Sequence, residues 1–250
     1  MEITENAALV VVDVQKGFEE EEHWGVRNNP AADDNIAALI DVWQATGRPV
    51  VFVRHDSLKP ASPLRVGYEG NGFKEYVEKR RGKGRRGAAA GGELFVTKSV
   101  NSAFYGTPDL DAWLRGGAGR GAGGDALTRG VGGDDVMRGA GGGLGLGEGG
   151  ASRAGGGARG QLVVAGIQTN MCAETTARMG GNLGYEVFFA LDATYTFDAV
   201  GPWGWALSAD ELARATAVSL HGGGFATVVR TEELVRAAGS ARATGSVDGD

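Results

Sequence analysis

Three side chains with complementary chemistry stand at the ends of apolar, strand-length runs in this sequence. Asp13 and Lys98 each come at the end of such a run, and Cys172, the single cysteine, comes a few residues after another. A thiolate can attack a carbonyl carbon, an ammonium can stabilise the charge of the thiolate, and a carboxylate can carry the proton from thiol to leaving group. Together these residue types predict covalent hydrolysis at a carbonyl group.

Each of the three residues also has a structural explanation, which the sequence leaves open. An aspartate at the end of a strand often caps the turn that follows. A lysine can extend its ammonium into solvent from an apolar stem, and a single cysteine is often a small buried apolar residue. The catalytic interpretation is favoured because all three residues occupy the same type of position in the chain.

The segment around Cys172 predicts a reactive thiol. A buried strand ends at Gly166, and residues 173–179 have the composition of a helix, which places Cys172 in the first turn of that helix. Backbone N–H groups without partners and the positive end of the helix dipole are found at such a position. Because both stabilise a thiolate, we expect the pKa of Cys172 to be lowered.

Apolar runs of strand length alternate with helix-like segments along the chain. Runs that are apolar at every position are typical of strands buried on both faces, and their alternation with helices is typical of a parallel sheet. The predicted fold is therefore α/β, a doubly wound parallel sheet of about six strands with helices on both faces. The predicted strands lie at residues 8–12, 50–53, 94–96, 162–165, 187–191 and 226–229.

In a doubly wound sheet, ligands bind at the carboxyl ends of the strands, where the strand order reverses. Asp13, Lys98 and Cys172 all follow predicted strands, so we expect them on this one edge of the sheet. The positions of the three residues and their chemistry therefore point to the same site.

Composition limits the classes of function. The chain has 250 residues, of which 42% are hydrophobic, and a net charge of −6. These values favour one globular domain over residues 1–250 and argue against nucleic acid as a partner. The acidic start lacks the features of a signal peptide, and no apolar stretch approaches the ~20 residues that span a bilayer. We expect a cytoplasmic protein without a membrane partner.

Two segments interrupt the α/β pattern. Residues 79–92 form a basic and glycine-containing loop, for which a solvated linker is the preferred interpretation. Residues 116–160 contain 21 of the 45 glycines and have no hydrophobic periodicity. Because glycine loses the most backbone freedom on ordering, this second segment is predicted to be a flexible surface insertion.

Three segments resemble the isochorismatase-like cysteine hydrolases, a superfamily that includes nicotinamidase, N-carbamoylsarcosine amidohydrolase and ureidoacrylate amidohydrolase. These segments are residues 9–15, 97–107 and 164–172. The resemblance implies a three-layer sandwich in which Asp13, Lys98 and Cys172 form the catalytic triad. It also implies a cis peptide bond between Ile167 and Gln168, and an oxyanion hole made by the backbone N–H groups of Gln168 and Cys172.

The resemblance does not extend to the metal site of nicotinamidases, which use an aspartate and histidines after the second strand. Here that stretch contains His55 and Asp56, and the next histidine is His221. One histidine and one aspartate are too few for a metal site. We therefore predict no metal and no other cofactor, and nicotinamide is a doubtful substrate.

A pocket for a small-molecule substrate is predicted beside the triad. Its candidate lining residues follow the strands that carry Asp13 and Lys98, or end the second strand. The aromatic ones among them are as readily explained as part of the core. The candidates are Gln15, Phe18, His55, Phe104 and Tyr105.

The function predicted from the sequence is a cysteine hydrolase that cleaves a C–N bond of a small amide, carbamoyl or ureido compound through a thioester. Two alternatives stay open. One is a hydrolase of the same fold that acts on an ester or a vinyl ether, and the other is a non-catalytic interaction protein that uses the glycine-rich insertion.

Trp203 and Trp205 follow the fifth predicted strand in a loop. Exposed tryptophans often mark subunit contacts, so we expect a homo-oligomer.

Overall fold

The computed structural model describes residues 1–83, 92–116 and 160–240. The predicted loop 79–92 lies partly, and the predicted insertion 116–160 almost wholly, outside the described residues. The strands are β1 (Ala8–Val12), β2 (Val50–His55), β3 (Glu93–Lys98), β4 (Gln161–Ile167), β5 (Glu186–Tyr195), β6 (Ala199–Val200), β7 (Ala206–Leu207) and β8 (Thr227–Val229). The helices are α1 (Glu21–Trp24), α2 (Ala32–Ala45), α3 (Glu75–Glu78), α4 (Leu110–Leu114), α5 (Glu174–Asn182), α6 (Ala209–Gly222) and α7 (Thr231–Ser240).

Six strands form one parallel sheet in the order β3-β2-β1-β4-β5-β8. This order confirms the predicted doubly wound α/β fold. From β1 the chain moves outward to β2 and β3, and then returns to place β4 on the other side of β1. The strand order therefore reverses between β1 and β4, and the carboxyl ends of these two strands form the position where such sheets bind ligands.

Helices cover both faces of the sheet, which explains why the central strands are apolar throughout. Every residue of β1 and of β4 is buried. One face packs against α2 and α7, and the other packs against α5 and α6. Helix α2 contributes four fully buried side chains at helical spacing, namely Ile36, Leu39, Ile40 and Trp43.

Strands β1 and β4 approach closely at the point where the strand order reverses. Gly166 pairs with Val12 there and has a φ of +122°. A Cβ atom at Gly166 would stand 2.1 Å from the carbonyl oxygen of Val12. Only glycine satisfies both the backbone conformation and the space, so this residue allows the segment with Cys172 to start beside the end of β1.

The hairpin β6–β7 is an antiparallel element that the sequence did not predict. It carries Trp203 and Trp205, which are 84% and 66% exposed and whose rings lie 5.0 Å apart.

Among the helices that the structure describes, none is both long and apolar enough to cross a membrane.

Candidate active site

Asp13 and Lys98 form a buried ion pair at the carboxyl edge of the sheet. Oδ2 of Asp13 lies 2.5 Å from Nζ of Lys98, and neither side chain is exposed. The second carboxylate oxygen, Oδ1, is buried and has no hydrogen-bond partner among the described residues. A carboxylate held by an ammonium through one oxygen keeps the other oxygen available to accept a proton.

The backbone at Asp13 contributes to this placement. Its φ is 51°, in the left-handed region that non-glycine residues adopt infrequently and mostly at functional sites. The N–H of Asp13 donates to the carbonyl of Val53 at 2.9 Å, and the carbonyl of Asp13 accepts from the N–H of Gln15 at 2.8 Å. Hydrogen bonds on both sides therefore hold the turn that ends β1.

Cys172 lies close to this ion pair. Its Sγ, a carboxylate oxygen of Asp13 and a ring nitrogen of His55 all lie within 4.8 Å of one another. The residue is 8% exposed, so its thiol is buried but not sealed from solvent. The sequence placed Cys172 in the first turn of an α-helix. The structure places it in a π-helical turn, Thr169–Ala173, which leads directly into α5.

The expectation of a lowered pKa for Cys172 is wrong. Burial raises the pKa of the thiol well above its ordinary value, and the Asp13 carboxylate adds to the increase, whereas the Lys98 ammonium acts in the opposite direction. The expectation considered only the start of a helix and could not include a buried carboxylate brought from residue 13. The neutral thiol is therefore the resting form, and it needs a base for activation.

His55 is the neighbour of Lys98 in the sheet. The two residues occupy paired positions on β2 and β3, and Nδ1 of His55 lies 3.4 Å from Nζ of Lys98. Burial, followed by the positive charge of Lys98, lowers the pKa of His55, so the imidazole is neutral at pH 7. Burial alone would lower the pKa of Lys98 as well. The carboxylate of Asp13 outweighs this effect and raises the pKa of Lys98 above its ordinary value, so it stays charged.

Gln15 holds the backbone of His55. Its Oε1 accepts from the N–H of His55 at 2.8 Å, and its Nε2 donates to the carbonyls of His55 and Asn71 at 3.0 and 2.9 Å. The side chain of Asn71 donates to the same carbonyl of His55 at 3.2 Å. Gln15 is fully buried. Gln15 therefore supports the backbone at His55, because main-chain groups bind its amide, and a role of Gln15 in binding substrate stays a prediction.

The aromatic candidates occupy three different environments. Phe18 is buried and lies 4.9 Å from the ring of Trp24. Phe104 is half-buried and stacks on Tyr185 at 5.9 Å, and Tyr105 is 71% exposed. The contacts of Phe18 and Phe104 are packing contacts with other rings, so a role of these residues in lining the pocket stays a prediction.

The peptide bond between Ile167 and Gln168 is cis. The carbonyl of Gln168 accepts from the N–H groups of Met171 and Ala173 at 3.1 and 3.2 Å, which closes the turn that carries Cys172. Gln168 and Cys172 therefore flank one tight turn at the end of β4. The use of their N–H groups as an oxyanion hole stays a prediction.

Two residues near the site were missed by sequence reasoning. Oδ1 of Asn101 lies 3.8 Å from Sγ of Cys172, close enough for a weak S–H···O hydrogen bond. Oγ1 of Thr176 accepts from the N–H of Ala103 at 3.1 Å, which joins α5 to the loop that follows Lys98. Asn101 follows Lys98 by three residues, and this short separation in the sequence could have indicated that Asn101 lies near the site. Thr176 carried none, because its partner is distant in sequence.

The His55 and Asp56 pair does not fit the metal that nicotinamidases of the superfamily bind. The carboxylate of Asp56 is held by the guanidinium of Arg54, at 2.7 and 3.0 Å, and by Nδ2 of Asn71 at 3.0 Å. The ring of His55 instead faces Lys98. The two side chains therefore serve different partners and do not converge on one ion.

The sheet is doubly wound, and a buried carboxylate–ammonium pair and a thiol lie where its strand order reverses. These features define the class of this protein as an α/β protein with a candidate catalytic site. The isochorismatase domain profile matches residues 7–121 and 154–233. The chain therefore belongs to the isochorismatase family, and it is a hydrolase of that family.

Individual relatives agree with this assignment. The isochorismatase family protein YrdC of Bacillus subtilis is 29% identical over 231 residues, covering 92% of this chain and 95% of YrdC. Nicotinamidase 3 of Arabidopsis thaliana is 25% identical over 238 residues, covering 92% of this chain and 87% of that enzyme. A crystal structure of an isochorismatase-family protein from Chromobacterium violaceum has 30% identity and a TM-score of 0.69, covering 96% of this chain and 97% of that one.

Proposed function

We propose that the protein is a cysteine amidohydrolase that cleaves the C–N bond of a small amide, carbamoyl or ureido compound through a thioester intermediate. The observation that carries this proposal is the buried ion pair of Asp13 and Lys98, with the thiol of Cys172 within 4.8 Å of the carboxylate. A nucleophile, a base and a fixed positive charge share one small volume, which is the arrangement that acyl transfer to a thiol requires.

The first half of the reaction begins with the neutral thiol. Asp13 takes the proton of Cys172, and the nearby ammonium of Lys98 stabilises the thiolate as it forms. The sulfur then adds to the substrate carbonyl, and the N–H groups of Gln168 and Cys172 receive the negative charge on the carbonyl oxygen. As the C–N bond breaks, Asp13 returns the proton to the departing nitrogen.

The second half restores the enzyme. Asp13, again a carboxylate, removes a proton from water, and the resulting hydroxide adds to the thioester carbonyl. The C–S bond then breaks, a carboxylic or carbamic acid leaves, and the sulfur regains the proton from Asp13. The two half-reactions balance with water as the second reactant.

An ammonia-release screen over small amides, carbamoyl and ureido compounds tests the proposal. Cys172→Ala removes the nucleophile and is expected to abolish release. His221→Leu alters an exposed histidine on α6 and is the matched control, with unchanged release. Mass spectrometry of the enzyme under turnover should detect an acyl group on Cys172. Release that survives in Cys172→Ala would overturn the thioester mechanism.

The same panel should include esters and vinyl ethers, because the other hydrolytic function stays open. Asp13→Asn is expected to be inactive on amides, whose nitrogen must be protonated to leave. Activity of the wild type confined to esters or vinyl ethers would replace the C–N proposal. The interaction-protein alternative depends on residues 116–160, of which 117–159 lie outside the described residues.

A homo-oligomer stays a prediction, and the exposed Trp203 and Trp205 favour it. Sedimentation of the wild type and of Trp203→Ser checks it. A monomer at all concentrations would contradict it. A small-molecule substrate, and no nucleic-acid or membrane partner, are the remaining expectations.

A further inference from the structure

The Lys98 ammonium lies among three electron-pair donors. These are the carboxylate of Asp13 at 2.5 Å, the imidazole of His55 at 3.4 Å and the sulfur of Cys172, which lies within 4.8 Å of a carboxylate oxygen of Asp13 and of a ring nitrogen of His55. A lysine ammonium only donates hydrogen bonds. Nδ1 of His55 must therefore accept, and the imidazole acts here as an electron-pair donor to a cation.

The size of the donor cluster suits an ammonium. Donor atoms of Asp13, His55 and Cys172 lie within 4.8 Å of one another, so one point exists within about 2.8 Å of all three (4.8 divided by √3). That distance is the usual length of a charge-assisted hydrogen bond. The cluster is therefore compact enough to surround a nitrogen cation.

Lys98 needs such a cluster because of where it starts. It projects from β3, the edge strand, and its partner Asp13 follows β1, two strands away. Its flexible stem must therefore pass the end of β2, where His55 is located. The backbone of His55 is itself held by Gln15 and Asn71, so the imidazole can serve as a fixed point of contact for the long side chain of Lys98.

We propose that the ammonium of Lys98 is the built-in cation of a three-donor pocket formed by Asp13, His55 and Cys172, and that His55 is a positioning residue for this ammonium. Two consequences follow. Removal of the ammonium leaves a carboxylate, an imidazole and a thiol, which are the ligand types that bind zinc-like ions. Removal of the imidazole acceptor leaves the ammonium less well fixed beside the sulfur.

Cobalt(II) titration tests the first consequence. Lys98→Ala is expected to bind one Co²⁺ and show a sulfur-to-cobalt charge-transfer absorption, which Lys98→Ala/Cys172→Ala should lack. The wild type should show no such absorption at the same concentration. Lys79→Ala, at a lysine that is 74% exposed, is the matched control. Lys98→Ser provides a second opening of the pocket in case Lys98→Ala does not fold.

Two outcomes of the titration overturn the proposal. One is the charge-transfer absorption in the wild type, since a metal would then displace the ammonium readily. The other is its absence from a folded Lys98→Ala or Lys98→Ser protein, since the three donors would then not form a cation site.

Alkylation of Cys172 by iodoacetamide tests the role of His55. His55→Leu should react roughly tenfold more slowly at a given pH, because a displaced ammonium stabilises the thiolate less and one pKa unit is a tenfold change. His55→Gln offers an amide oxygen as acceptor and should restore the rate, whereas His221→Leu should match the wild type. Equal rates for His55→Leu and His55→Gln would overturn the positioning role.

The proposal deepens the function proposed above, but neither test uses turnover. A negative ammonia-release screen would count against the amidohydrolase and leave the cation pocket intact. A negative cobalt titration together with equal alkylation rates would remove the pocket while the amidohydrolase stands.

Discussion

The ammonium of Lys98 lies 2.5 Å from the carboxylate of Asp13, although 85 positions separate the two residues in the chain. Neither side chain is exposed to solvent. Burial of either charge alone would be unfavourable by several kcal/mol, so the two residues depend on each other. This mutual dependence determines how substitutions in the site should behave.

The reactivity of Cys172 should change in opposite directions when the two charges are removed separately. The carboxylate of Asp13 raises the pKa of the thiol and the ammonium of Lys98 lowers it. Asp13→Asn should therefore be alkylated faster than the wild type near neutral pH, although it is inactive on amides. Lys98→Met should be alkylated more slowly. Iodoacetamide labelling followed by intact-mass spectrometry measures both rates, and a change in the same direction for the two variants would contradict the charge assignment.

Stability should show the coupling of the ion pair directly. Lys98→Met alone leaves a buried carboxylate without its partner and should lower the free energy of unfolding by about 3–5 kcal/mol. Asp13→Asn/Lys98→Met removes both charges and should lose less than the sum of the two single variants. Urea unfolding of the four proteins measures the coupling. Strict additivity would show that the pair does not exist in solution.

Gly166 should tolerate no side chain. A Cβ atom would stand 2.1 Å from the carbonyl oxygen of Val12, and the φ of +122° disfavours any L-residue. Gly166→Ala is expected to lose about 3 kcal/mol or more of stability, since the backbone must shift. Gly222→Ala, where nothing lies within 4 Å of the added methyl group, is the control and should change little. Thermal unfolding measures the midpoint temperatures of the two variants. Similar midpoints would mean that β1 and β4 are further apart than described.

Gln15 should matter for the scaffold. Gln15→Leu leaves the N–H of His55 and the carbonyls of His55 and Asn71 without this partner in a buried region. An unsatisfied buried group costs about 1–3 kcal/mol, so urea unfolding should show a loss of at least that size. Gln44→Leu removes a single, half-buried hydrogen bond to Arg80 and is the control with a smaller effect. If Gln15→Leu lost no more stability than Gln44→Leu, the role of Gln15 in holding the backbone of His55 would be contradicted.

Acid should destabilise the protein partly through His55. Burial and the charge of Lys98 lower its pKa in the folded state, so the folded protein binds fewer protons there than the unfolded chain does. The stability that the neutral imidazole contributes is therefore present above the ordinary histidine pKa of ~6.5 and is lost as the pH falls through the lowered value. The unfolding free energy of the wild type between pH 7 and pH 5 should fall more steeply than that of His55→Gln. Parallel pH profiles would contradict the lowered pKa.

Much of the fold could be predicted because its signals are local. Each strand of the main sheet overlaps an apolar run in the sequence, and the buried face of α2 is visible as the spacing of Ile36, Leu39, Ile40 and Trp43. The hairpin β6–β7 was missed, because two-residue strands with exposed side chains leave no periodic pattern. The same local signals located Asp13, Lys98 and Cys172 at strand ends.

The sequence by itself determined which strands form the main sheet and which residues stand where those strands end. Only the tertiary structure decided that the thiol of Cys172 is neutral at rest, that Gln15 supports His55 and that His55 contacts Lys98. The reason is physical. Strand and helix preferences are set by neighbours within a few residues, whereas the charge state of a buried group depends on distant residues that fold beside it and on the water that they exclude.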